Sequence, residues 1–102
     1  MTVFRQGDII RIHGFKNRFL IVSKNAFISA TGVFHVCPFL LDIPAGPLHI
    51  PATGNLNEAG TAICEQIKLI DPAARNCSRI DSLKYRDIID ISDAIQGIFE
   101  YD

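Results

Sequence analysis

Three prolines and three glycines fall within the twenty residues from Leu41 to Gly60, and no helix can cross that stretch. Pro44, Pro47 and Pro51 each remove a backbone donor, and Gly46, Gly54 and Gly60 favour turns. The middle of the chain therefore reads as a loop with a brief extended piece at Leu48 to Ile50. The fold must come from the segments on either side.

Upstream, the periods are those of short strands. "GDIIRIHG" (Gly7 to Gly14) sets Ile10 and Ile12 against Arg11 and His13, the alternation of a half-buried strand. "RFLIVSK" (Arg18 to Lys24) is a continuous apolar run, as in a strand covered on both faces. Only a short polar turn separates the two, which predicts a hairpin. "TGVFHVCPF" is a third strand, opened by Gly32 and expected to stop at Pro38. Downstream of the loop, "GTAICEQIKLID" (Gly60 to Asp71) alternates as one further strand, and "PAARNCSRI" reads as a turn. The period then changes. Ile88, Ile91, Ile95, Ile98 and Phe99 fall on one helical face, with Ser82 or Asp81 as the expected cap and Asp87 in the first turn.

Five or so short strands followed by one C-terminal amphipathic helix describe a mainly β (α+β) domain spanning residues 1–102. Its expected form is a small, partly open antiparallel barrel with the helix over one open face. The net charge of −1 carries no overall basic bias towards nucleic acid, although it does not preclude a local basic groove. Cys37, Cys64 and Cys77 form an odd set with no CxxC, which argues against a disulfide framework or a zinc ribbon. The N-terminus has no signal-peptide pattern and no stretch is long enough to span a membrane, so a cytoplasmic domain is expected.

Three stretches, in this order of elements, carry a resemblance. They are Gly7-Asp8-Ile9, the "FLIVS" run ending at Ser23, and above all "GTAICEQIKLIDPAAR" from Gly60 to Arg75. In that block Gly60, Glu65, Gln66, Lys68, Ile70, Asp71, Ala74 and Arg75 resemble the pattern of the MazF/PemK/Kid family of toxin ribonucleases from bacterial toxin–antitoxin modules. The resemblance implies an SH3-like barrel, a homodimer, a cognate antitoxin, and cleavage of single-stranded RNA without a metal or other cofactor. Such cleavage uses the RNA's own 2′-OH. It needs a base for that proton, an acid for the leaving 5′-oxygen and a cation for the phosphorane.

The chain departs from the family pattern at three chemical positions. The Arg-Pro that usually ends a long first loop is absent, and an ungapped count puts Asn17 at the arginine position and Arg18 one residue on. The hydroxyl expected after the third strand is Leu40, and an arginine of the Kid branch is Ile63. The acid is retained as Glu65. The resemblance therefore assigns Glu65 as general base and Arg75 or Arg18 as the phosphate-stabilising cation, and His13, beside the short loop, joins them as a catalytic candidate. Arg11, Lys16, Gln66 and Lys68 are candidate RNA-binding residues. No metal ligand set is expected.

Two non-enzymatic readings accompany this one. One is a poison of the CcdB branch, which acts on DNA gyrase through the end of its C-terminal helix; "IFEYD" is similarly aromatic. The other is an inactive paralogue that binds an antitoxin or a partner toxin. His35 and Cys37, though two residues apart, read as structural groups of strand three. Phe39, Leu40 and Leu41 read as an apolar loop turned towards protein contact.

Overall fold

In the computed structural model, which describes residues 3–102, Ile9 and Ile10 are both fully buried although they face opposite sides of one strand. Strand β1 (Asp8–Ile12) is therefore an interior strand. On one side it pairs with β2 (Arg18–Ile21), Ile10 opposite Phe19, as the expected hairpin. On its other side lies β7 (Cys77–Ser82), a strand in the segment read from sequence as a turn. Its burial is irregular and it forms one edge of the sheet, which hides the alternation that marks a strand.

The third strand, β3 (Phe34–Leu40), runs through Pro38 instead of stopping there. It pairs with β2 along 36–39, while its other side is shared between two strands. The single strand expected over 60–71 is in fact β5 (Ala59–Ile63) and β6 (Lys68–Ile70), separated by the turn at 64–67. β6 pairs with residues 34–36 and β5 with residues 39–40. Pro38 falls at the break between them, where a missing donor interrupts no ladder on that side. The loop's extended piece is longer than expected: β4 (His49–Thr53) pairs fully with β5 and accommodates Pro51 as an edge strand.

All pairings are antiparallel, and the order β4-β5-β3-β2-β1-β7, with β6 beside β3, leaves the barrel open. The fold is mainly β, with seven strands and two helices among the described residues. Helix α1 (Asn25–Thr31) follows β2 and ends on Gly32 in the left-handed conformation. Its seven residues carry no buried side chain, so its sequence shows no amphipathic period. Helix α2 (Tyr85–Ile98) covers the face of the sheet formed by Ile9, Leu20, Cys37, Phe39 and Ala62, using Ile88, Ile91, Ala94 and Ile95. Its cap is Lys84, and neither Ser82 nor Asp81 caps it by side chain. The apolar stripe stays uncovered at the end, where Phe99 and Tyr101 are 75% and 98% exposed.

Asp81 instead bridges the gap between the sheet's two edges. Its buried carboxylate accepts backbone N–H groups from Leu56 (2.9 and 3.0 Å), Glu58 (3.1 Å) and Ser82 (2.7 Å), while Asn55 N donates to Ser82 O (2.9 Å). The β4–β5 connection is thereby fixed against β7. Burial alone would raise the pKa of this carboxyl, but the N–H groups of Leu56, Ser82 and Glu58 outweigh it and hold the group below the usual Asp value.

Candidate functional site

The hairpin turn between β1 and β2 brings the first cations together. Arg11 and Arg18 are cross-strand partners, and with Lys16 and Asn17 they line an open groove of about 370 Å³ whose other wall is Phe39, Leu40 and Leu41. Phe39 is fully buried there, contrary to its expected place in an exposed loop. β3 continues past Pro38 and directs its ring into the core, so only Leu41 is largely exposed.

Arg18 is not a free cation. Its side chain is 9% exposed; one terminal nitrogen donates to Glu58 Oε2 (2.9 Å) and the other to the Ala59 carbonyl (2.8 Å). The guanidinium also lies over the Phe39 ring, 5.1 Å from its centroid. Gly60 permits this, since a Cβ there would meet that ring at 2.7 Å. Glu58 carries no signal in the sequence, being forty residues away in a polar turn.

His13 lies in an adjoining groove of about 390 Å³ with Arg11, Phe15, Asn76 and Ser78. Phe15 is half-buried and takes two cations on its ring, Lys68 Nζ at 5.2 Å and the Arg75 guanidinium at 5.2 Å. Such contacts fix a cation's position while leaving its N–H groups available. Lys68 and Ile70 project to the face of Ile10 and Phe19, whereas Arg11 and Arg18 belong to the face of Leu20 and Phe39. The expected cations thus form two groups around the hairpin, joined by Arg11, His13 and Phe15.

Glu65 occupies the turn after β5. There its two carboxylate oxygens lie 3.0 and 3.3 Å from His49 Nε2, and both side chains are partly exposed. His49 opens β4 directly opposite Ile63, so strand pairing sets this acid–base pair. The sequence reading missed His49 because it stands among prolines in an apparent loop. Gln66 follows, exposed, with its N–H closing the turn on Ile63 O (3.1 Å).

The remaining candidates are structural. Ser23 Oγ lies 2.8 Å from His35 Nδ1 and accepts the His35 N–H at 2.6 Å, and the Phe27 ring lies tilted against the imidazole, 5.2 Å between centroids. Cys37 and Cys64 are buried. Burial first, then the charge of Glu65, pushes the Cys64 thiol up to about 11. Burial, with Cys64 next, pushes Cys37 higher still, so neither supplies a thiolate.

No protein-family model and no curated protein sequence matches this chain. Solved structures do. A chain of the MazE–MazF complex (Form-II) of Deinococcus radiodurans superposes with TM-score 0.83 at 14% identity, covering 100% of both chains. MazF (Form-I) of the same organism gives TM-score 0.79 at 13% identity over 96% of this chain and 97% of that one. A chain of a mycobacterial endoribonuclease in complex with its cognate antitoxin gives TM-score 0.79 at 16% identity over 98% and 100%. The chain has the MazF fold from end to end.

Proposed function

On this shared fold, we infer that the chain is the toxin of a toxin–antitoxin pair and an endoribonuclease acting on single-stranded RNA in the cytoplasm. The observation that carries the reading is the whole-chain correspondence with MazF structures. One fold hosts several functions, so the chemistry has to come from the residues.

RNA lies across the hairpin, its phosphates drawn by Arg11, Lys16 and Lys68, with Gln66 adding a polar contact. Glu65 and His49 form the acid–base pair. Glu65 takes the 2′-OH proton as the 2′-oxygen attacks phosphorus and the P–O5′ bond breaks, and protonated His49 gives a proton to the leaving 5′-oxygen. Arg75 is the cation for the phosphorane, being held by Phe15 without an anionic partner among the described residues. His13, at the groove edge, is the second candidate for the leaving-group proton. Homodimerisation and capture by a cognate antitoxin belong to the same reading.

A second reading, a non-catalytic binder on the same fold, is favoured by the exposed Phe99 and Tyr101 at the end of α2. Incubation with mixed-sequence single-stranded RNA in EDTA separates the two. Discrete fragments ending in 2′,3′-cyclic phosphate support the nuclease. Intact RNA, with DNA breaks arrested on gyrase, supports the poison.

A further inference from the structure

Arg18 combines three properties: it lines the basic groove, its guanidinium is held on two sides by uncharged groups, and its one anionic partner among the described residues is partly exposed. The Ala59 carbonyl belongs to the paired strand β5 and the Phe39 ring to the buried part of β3. The Glu58 side chain, by contrast, is 43% exposed. Its backbone is fixed, with its N–H on Asp81 and its carbonyl accepting from Gly54 N (2.8 Å). Glu58 can therefore swing its carboxylate away without moving the turn, and Arg18 would stay where it is.

We propose that Glu58 is a built-in competitor for RNA phosphate, so that Arg18 becomes a phosphate ligand only when a bound strand displaces the Glu58 carboxylate. Glu58 meets Arg18 through one oxygen on one terminal nitrogen, so a phosphate oxygen can take that place while the other nitrogen stays on the Ala59 carbonyl, with no rearrangement of the arginine. Arg11, across the strand pair, and Lys16 hold the incoming strand at this groove. The competitor selects for ligands carrying several phosphates, because a single anion gains little by replacing one that is already tethered. This rests on the RNA-binding reading above.

The test measures binding of a fluorescein-labelled single-stranded RNA by anisotropy over a range of salt, for the full chain and for Glu58→Gln. Glutamine keeps an acceptor for Arg18 but not the charge. The variant should bind roughly threefold to tenfold more tightly, as for one charge-assisted contact at a partly exposed site. The slope of log affinity against log salt should stay the same, because Arg18 takes the same phosphate in both bound states and the gain is only the cost of displacing Glu58. In an Arg18→Gln background the same substitution should change neither quantity. Binding by the parent chain with no gain in Glu58→Gln overturns the proposal and leaves RNA binding standing. A gain that persists without Arg18 overturns the assigned route. Absence of binding in both chains overturns the RNA reading and the proposal with it. Thermal unfolding of each variant verifies that the fold is retained.

Discussion

The carboxylate of Asp81 occupies the space that a side chain on Gly54 would need: a Cβ there would overlap Oδ2 and Cγ. Gly54 thus lets the β4–β5 connection approach β7 closely enough for Asp81 to take the N–H groups of Leu56 and Glu58. Removing the acceptor leaves these donors unmatched. Asp81→Ala should cost about 3 kcal/mol, and Gly54→Ala on the order of 1–3 kcal/mol by overpacking. Urea titration measures both. The two losses should be far from additive in the double variant, since each breaks the same contact.

Two buried carboxylates should give opposite dependences on pH. Asp81 has its pKa lowered on folding, so its contribution is present above the unfolded value of about 3.9 and is lost as pH falls through the folded value. Asp8 is raised, because burial outweighs the Arg5 N–H at 2.8 Å and the Arg79 guanidinium at 3.5 Å. Its contribution is present below about 3.9 and is lost as pH rises through the folded value. Asp8→Asn should therefore be at least as stable as the parent near neutrality. Asp81→Asn should be less stable there, with the deficit shrinking below about pH 4. Denaturant melts across that range read both signs.

Ile91 is the one fully enclosed side chain of α2, at 2% exposure. Ile91→Ala should destabilise the domain by about 2–5 kcal/mol, since it opens a cavity between helix and sheet. Phe99→Ala removes a residue already in solvent and should stay within about 0.5 kcal/mol. Equal losses from the two would show that the end of the helix is covered in solution.

For the proposed nuclease, Glu65→Gln and His49→Gln should each lower single-turnover RNA cleavage by about 10²–10⁴-fold with little change in RNA affinity. The double variant should be scarcely worse than either, as expected of two groups acting as one unit. Full activity in His49→Gln would remove the imidazole from the reaction.

The sequence by itself determined the strongly periodic part of the local structure. The periods of Ile9 to Ile12, Phe19 to Ile21 and Ile88 to Ile95 give two core strands and a helix, because a repeat of side chains follows directly from backbone geometry. It also made the chain mainly β, since prolines and glycines close its centre to helix. Edge strands were less legible: β7 reads as a turn and β4 only as the short piece 48–50, because both have one side in solvent and bury too little to impose a pattern. Only the tertiary structure decided which groups meet. Arg18 finds Glu58 forty residues on, Glu65 finds His49 sixteen residues back, and Asp81 finds the turn after Gly54. Those meetings depend on strand register and on how far an open barrel closes. Both arise from packing two faces of the sheet at once, and no local window of sequence contains that information.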